Sequence, residues 1–539
     1  MQLRAYLPYI FFFLLLVSIA FSLTYNFLDP DFGWHVKSGE LILERGVPYQ
    51  DWYSFSMPTF GWVNHEWLMD VFMYWIYGAI GIQGLLLVFL AFYTASFFII
   101  SKSKNFWVFA LPVALGFLAT TEFLGIRPQL FTVFFVAILL WLVDAFLEKN
   151  SKLIYALPLL FLAWVNVHAS FFAGLFILCA IVSCEIFKKF MPQMAQTRFL
   201  SFLKHFYVKE QPAGKILWLS AITAICFLIT LINPYGIRIY EELFRTIGDS
   251  YLKFHITEWF PLFLMGFKPL IYLYLAIFIS SALLFYRKIE FSRLILSVAF
   301  LLLSFSSIRY FLIFVIVSLP ILISLLEGAN IDAQKVRNSF TSAPISYKFL
   351  FSLPVLVVMV CIGLYGYTTI PAVFAGPSKN FYPEKAIPFL QTLPLSQNML
   401  NDYTWGGYLI WKMPERKVFI DGRMPSWRLP ADEAGQDGQF AFGDYFNMME
   451  AKEGFEKTME KYDIKLVLLP VSAKQNNQSD LLYINNIRSS KIRLFFEKHQ
   501  VLGQMLGIYY EKNSFYEKLI SQGWKIIYED ETAMVLQKP

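Results

Sequence analysis

The sequence predicts a polytopic α-helical membrane protein with about eleven transmembrane helices, followed by a small C-terminal α/β domain. Three observations predict it. Of 539 residues, 57% are hydrophobic and only 16% charged, where soluble domains carry about a quarter. The mean hydropathy is +0.51, and the apolar residues gather in runs of roughly 18–22, enough to cross a hydrocarbon core about 30 Å thick. Beyond residue 370 the composition changes to that of a soluble domain.

In chain order the apolar runs lie near residues 5–25, 80–101, 106–123, 128–147, 153–168, 170–187, 216–233, 269–286, 291–307, 309–326 and 348–369. Lys and Arg collect in cytoplasmic loops. With the N-terminus inside, the inner loops hold Lys102, Lys104, Lys149, Lys152, Lys188, Lys189 and the run to Lys215, while the longer outer loops hold few. The C-terminal domain is then extracytoplasmic, and the chain is expected in a bacterial plasma (inner) membrane. This pattern accounts for the formal net charge of +6 without a nucleic-acid partner. The four cysteines, Cys179, Cys184, Cys226 and Cys361, fall inside the spans without metal-ligand spacing and read as small apolar fillers.

Two domains follow: a transmembrane domain over 1–370, whose first outer loop covers 26–79, and an extracytoplasmic α/β domain over 371–539, entered through Pro371, Pro377 and Pro383. In the latter, Lys417–Asp421 and Lys465–Pro470 read as strands, Glu453–Tyr462 and Ser514–Gln522 as helices, and Trp524–Glu529 with Thr532–Gln537 as terminal strands. Strands alternating with helices predict a partly parallel sheet. The first outer loop is long for a connector, and long ordered loops are usually functional. Helical spacing over Trp34–Leu43 and Glu66–Tyr77 predicts amphipathic helices on the outer leaflet, with the loop tryptophans either in the interfacial belt or stacking on a sugar or lipid.

Candidate chemistry concentrates in that loop. Asp29 and Asp31 flank Pro30 immediately after the first span, and Pro30 favours an extended backbone at Asp29. In an extended chain, residues two apart point to one side, so the two carboxylates face one ligand, as a general base and its partner or as ligands of a divalent cation. N-capping of the following helix is the structural alternative for Asp31. His35 lies one helical turn on, and His65-Glu66 closes the loop as a further base or ligand pair. Arg127 and Arg309 are scarce cations at outer span ends, suited either to a phosphate or to headgroup anchoring. His168 lies near the same surface. Asp421-Gly422-Arg423 reads as a turn or as part of a ligand crevice.

The stretch DPDFGWHVKSGELILERGVPYQDWYSF (29–55), followed by WVNHEWLMDVFMYWIY (62–77), resembles the first outer loop of bacterial GT-C-type membrane glycosyltransferase-like proteins. These are related to protein mannosyltransferases, oligosaccharyltransferases and lipid A aminoarabinose transferases. The likeness continues in IRPQLFTVF, WVNVHASFFAGL, INPYGIRIYEEL, TEWFPLF, SIRYFLIFVIVSLP, NDYTWGGYLIW and KVFIDGR. It implies a GT-C-like fold and inverting transfer of a sugar from a polyprenyl-phosphate donor to an extracytoplasmic acceptor, which is a lipid, glycan or protein. By position it implies Asp29, Asp31 and Glu66 as catalytic, with Asp29 the leading carboxylate and Asp31 its partner or a metal ligand, and a divalent cation (Mg or Mn) on Asp29 and Asp31 where one is used. Arg127 and Arg309 would hold the donor phosphate, and His35, His65 and His168 would support them. Two rivals remain: a transporter or lipid flippase, expected to carry ionisable groups at mid-membrane, and a non-catalytic envelope assembly protein.

Overall fold

The computed structural model describes residues 2–25, 27–249, 251–265, 268–328, 381–429, 439–474 and 515–539. In chain order the helices are α1 (Gln2–Thr24), α2 (Phe32–Arg45), α3 (Trp67–Ile100), α4 (Phe106–Ala119), α5 (Gln129–Lys149), α6 (Leu157–Val167), α7 (Phe171–Met194), α8 (Ala213–Ile229), α9 (Arg238–Gly248), α10 (Leu252–His255), α11 (Pro269–Phe285), α12 (Phe291–Ser306) and α13 (Phe311–Gly328). Then follow α14 (Ile387–Thr392), β1 (Asn398–Asn401), α15 (Gly406–Lys412), α16 (Ala441–Met449), α17 (Phe455–Lys461), β2 (Ile464–Pro470), α18 (Phe515–Ser521), β3 (Lys525–Glu529) and β4 (Ala533–Gln537). The chain separates into two compact units. One gathers the described residues of Met1–Asn26, Leu86–Asn233 and Phe267–Gly376; the other gathers those of Phe27–Leu85, Pro234–Gly266 and Pro377–Pro539.

The first unit is a bundle of apolar helices. Six described helical stretches are long and apolar enough to cross a membrane: Tyr6–Thr24, Trp67–Ile100, Gln129–Lys149, Phe171–Met194, Pro269–Lys288 and Ile308–Gly328. Trp67–Ile100 begins in the second unit and is interrupted at Gly81, whose φ of 70° only glycine adopts readily. Four further apolar helices are shorter: Phe106–Ala119, Lys152–Val167, Ala213–Ile229 and Phe291–Ser306. The chain is thus a multi-pass membrane protein, and ten of the apolar runs expected from sequence coincide with helices. The run at 348–369, the 370/371 boundary, Pro371, Pro377 and Cys361 lie outside the described residues.

Inside this unit two basic side chains are held by carboxylates, as charge in an apolar surround requires. Lys188 is 2% exposed and donates to Glu185 (2.6 Å) and Glu290 (2.8 Å), joining α7 to the start of α12. Arg293 pairs with Asp144 of α5.

The second unit is built round a four-stranded sheet of order β1-β2-β4-β3. β1 and β2 are parallel, with Leu400 opposite Val467; β4 runs antiparallel to both β2 and β3. Met399, Leu400, Leu466–Leu469 and Ala533–Leu536 are buried, which explains the continuous apolar text of β2 and β4. Lys417–Asp421 departs from expectation. Instead of a ladder strand it makes one parallel bridge, Val418 to Ser54 of the first loop. Val418 N–H donates to Tyr53 (3.0 Å), and Phe55 N–H donates to Val418 (3.1 Å).

The first loop also departs from the leaflet-lying picture. Helix α2 buries Phe32, Trp34, His35, Val36, Leu41 and Ile42, and Trp34, Leu41, Tyr53, Met57, Phe60 and Trp62 share one core with the sheet. The reason lies in two glycines. A Cβ on Gly33 would stand 2.2 Å from the Gly407 carbonyl oxygen, and one on Gly407 would stand 2.2 Å from that of Pro30. Backbone therefore packs on backbone where α2 crosses α15, and the loop becomes part of the core.

Candidate functional site

The turn Asp29-Pro30-Asp31 lies on the start of α15. Asp29 is 6% exposed, and its Oδ1 accepts the Asp31 backbone N–H at 3.0 Å. Asp31 is the N-cap residue of α2 with φ −87° and ψ −14°, but its side chain caps no helix N–H. Its Oδ1 instead accepts the Trp34 indole N–H at 3.0 Å. The capping role for Asp31 is thereby excluded, and the backbone there turns rather than extends. What brings the two carboxylates together is the turn made by Asp29 itself.

The Asp31 carboxylate is half-buried and faces Gly422, where a Cβ would stand 1.8 Å from its Oδ1. Burial, then the negative charge of Asp29, push its pKa up to about 7, with Glu258 adding to the rise; His35 and the Trp34 hydrogen bond oppose it. A carboxyl group balanced near neutral pH is suited to proton transfer.

His35 lies on the next turn, 2% exposed, with its ring 3.6 Å centroid to centroid from that of Trp34. Its Nδ1 is 2.6 Å from Asp70 Oδ1, and its Nε2 is 3.7 Å from Glu66 Oε2. Burial alone would lower its pKa, but the hydrogen bond to Asp70 and the charges of Asp70, Glu66 and Asp31 raise it to about 9. It is an imidazolium held between carboxylates. Asn64 fixes the far side, donating to Asp70 Oδ2 at 2.7 Å while its own Oδ1 takes the Glu66 N–H at 3.1 Å. His65 stands at the rim, 3.9 Å from Glu66 Oε1.

Behind Asp31 lies a second buried group. Arg423 donates from Nε and Nη2 to Asp421 (2.8 and 2.7 Å) and from Nη1 to Asp51 (2.8 Å). Its guanidinium is 4.7, 4.5 and 5.1 Å from the ring centres of Tyr53, Trp62 and Trp427.

The structure thus brings together Asp29, Asp31, His35, His65 and Glu66 within the second unit. It adds Asp51, Asp70, Glu258 and Tyr403, which no motif pointed to, and Arg423 of the Asp421-Gly422-Arg423 turn; Tyr403 stands within electrostatic reach of Asp31, Asp421 and Glu258. Asp70 sits in an apolar run and Asp51 beside aromatic residues, and the Asp421-Gly422-Arg423 stretch signals a turn but not its partner. Among the described residues, no group of three or more His, Cys, Asp or Glu is arranged to hold a metal ion. One oxygen of each aspartate accepts a hydrogen bond, from the Asp31 N–H and the Trp34 indole respectively.

Arg127, Arg309 and His168 belong to the first unit. Arg127 lies two residues before α5, and Arg309 two residues before α13. Helices α5 and α13 pack together, and Phe123, six residues before α5, stacks on Phe311 at 6.5 Å. Lys268, at the start of α11, joins the same end through Glu122 at 2.8 Å. His168 caps the end of α6, buried, its Nδ1 taking the Ser170 N–H at 3.1 Å, with Thr132 of α5 at 3.3 Å.

The chain has a GT-C-type fold. It is similar to the archaeal oligosaccharyltransferase AglB from Archaeoglobus fulgidus, solved in complex with an inhibitory peptide and a dolichol-phosphate, with 12% identity and a TM-score of 0.52 over 86% of this chain and 69% of that one. The Archaeoglobus fulgidus oligosaccharyltransferase tethered with an acceptor peptide matches at 12% identity and TM-score 0.52, over 87% and 70% of the two chains. ArnT from Cupriavidus metallidurans bound to undecaprenyl phosphate aligns over 98% and 97%, at 11% identity and TM-score 0.46. No protein-family model matches the chain, and no curated protein matches it in sequence.

Proposed function

We propose that this chain is a membrane glycosyltransferase that moves a sugar from a polyprenyl-phosphate donor to an acceptor on the extracytoplasmic side, with inversion. The observation that carries this is the Asp29/Asp31 pair, in a fold shared with an oligosaccharyltransferase solved with dolichol-phosphate. Asp31 is the general base. It takes the proton of the acceptor hydroxyl or amine as that atom bonds to the anomeric carbon. The bond from that carbon to the phosphate oxygen breaks, and the polyprenyl phosphate leaves with the electron pair. Asp29 fixes the turn and keeps the Asp31 pKa high; Glu66 and Asp70 are counter-ions to His35, whose charge steadies Asp31. Arg127 and Arg309 are the donor-phosphate ligands, for which guanidinium geometry is suited, and His168 with Ser170 stiffens the neighbouring helix junction. The protein sits in a bacterial plasma membrane with its N-terminus cytoplasmic and residues 371–539 extracytoplasmic.

The test is transfer of radiolabelled sugar from a panel of polyprenyl-phosphate donors into native membrane lipid extract, by wild type, Asp31→Asn and Asp29→Asn. Wild type should transfer label, and Asp31→Asn should lower the rate by about 10²–10⁴-fold, the usual contribution of a general base. A fully active Asp31→Asn overturns the role of the base. No transfer from any donor by folded wild type overturns the transferase reading in favour of transport or assembly.

A further inference from the structure

The turn Asp421-Gly422-Arg423 touches the acidic pair from behind, and its arginine has no part in the chemistry proposed above. We infer that Arg423 is a positioning residue: by tying Asp421 to Asp51 inside an aromatic cage, it holds Gly422 as the floor against which the Asp31 carboxylate rests. The inference rests on the reading of Asp31 as the base.

Four features carry it. The first is proximity: Asp31 Oδ1 lies where any side chain at 422 would begin. The second is the way the turn is held. Arg423 takes both oxygens of Asp421 through a planar fork and reaches Asp51 with its remaining nitrogen, all three side chains being 2% exposed or less. Asp51 is itself fixed, its oxygens accepting the Tyr53 and Ser54 N–H groups at 3.2 and 2.7 Å. The third is a second path to the same carboxylate. Trp62, which faces the guanidinium, meets Trp34 edge to face at 6.4 Å, and the Trp34 indole holds Asp31 Oδ1. The fourth is energetic. Buried ion pairs commonly give little net stability over apolar residues of equal volume, and their better attested use is to specify one geometry. A guanidinium shared between two buried carboxylates, with three rings around it, is such a device, and a lysine, lacking the fork, does not replace it.

The test uses the full chain in lipid. Arg423→Lys should lower kcat by about a hundredfold, the size of effect a misplacement near 1 Å produces, with KM for donor and acceptor nearly unchanged. Asp51→Asn, which keeps the Arg423–Asp421 fork, should lower kcat much less than Arg423→Lys does. Gly422→Ala tests the floor directly and leaves the cage intact, so it decides the matter if Arg423→Lys does not fold. A separate readout needs no transfer. In Asp31→Cys protein, alkylation of position 31 by iodoacetamide, followed by peptide mass spectrometry, should change rate several-fold when Arg423→Lys or Gly422→Ala is added. Unchanged kcat and unchanged alkylation in a folded variant overturn the inference. If wild type transfers nothing, the transferase reading falls, while the alkylation rates still judge whether Arg423 holds position 31.

Discussion

At the scale of the residue, the site is two protons held at unusual places. Asp31 carries one until about pH 7, and His35 keeps one until about pH 9. Transfer should therefore rise with pH as Asp31 ionises and fall again as His35 is neutralised and Asp70 and Glu66 lose their shared cation. A kcat/KM profile with limbs near these values is the expected outcome, and one flat from pH 6 to 10 contradicts it. Stability follows from the same protons. The folded-state pKa of His35 lies above the unfolded value near 6.5. Its contribution is therefore fully present below pH 6.5 and is lost as pH rises through about 9, amounting to roughly 3 kcal/mol for this buried group. Asp31 has the same sign, with its contribution present below about pH 4 and lost by pH 7. The thermal midpoint of wild type in detergent should accordingly fall from pH 6.5 to 10. In His35→Gln, which lacks the titrating group, the fall over that interval should be shallower; parallel curves would show that His35 is not the group responsible.

At the scale of the element, the acidic turn owes its place to α15. The glycines of Trp405-Gly406-Gly407 let the Pro30 carbonyl and the Ile420 carbonyl approach to where a Cβ would stand 2.2 Å away. Gly407→Ala should therefore push the Asp29–Asp31 turn off its seat and cost about 1–3 kcal/mol, as overpacking does. Gly214→Ala, at a position with open space, serves as the neutral control. Equal thermal midpoints for the two variants would refute the close packing. These contacts also show what was legible in the sequence. Helix α2, the start of α3, and strands β2, β3 and β4 follow from periodicity and punctuation inside short windows, and Asp31 with His35 follows from one helical turn. Strand β1 is four residues of mixed polarity, too short to carry a period. The Ser54–Val418 bridge and the Asp51–Arg423 pair join residues more than 360 positions apart, and no local pattern encodes such a partner. The tryptophans of the loop looked interfacial because a lone aromatic sequence does not say whether lipid or protein covers it.

At the scale of the whole molecule, the orientation proposed from charge is what gives the site access to one side of the membrane. Lys and Arg are retained in cytoplasmic loops, and here Lys188, Lys189, Lys204, Lys209 and Lys215 crowd one connection, while the stretch from Phe27 to Trp67 holds only Lys37 and Arg45. Several basic groups of the crowded segment are fixed to the bundle, Lys188 through two glutamates and Lys215 through the Leu147 carbonyl at 2.8 Å. That fixing keeps them at the end of α7 and the start of α8 and makes them a stable topological signal. A single cysteine placed at Lys204 should then be blocked by a membrane-impermeant thiol reagent only after the cells are opened, and one placed at Tyr49, which is 54% exposed, should be blocked in intact cells. The reverse pattern would put the acidic turn on the cytoplasmic side. A polyprenyl donor would then have to be used there, and the extracytoplasmic acceptor would fall with it.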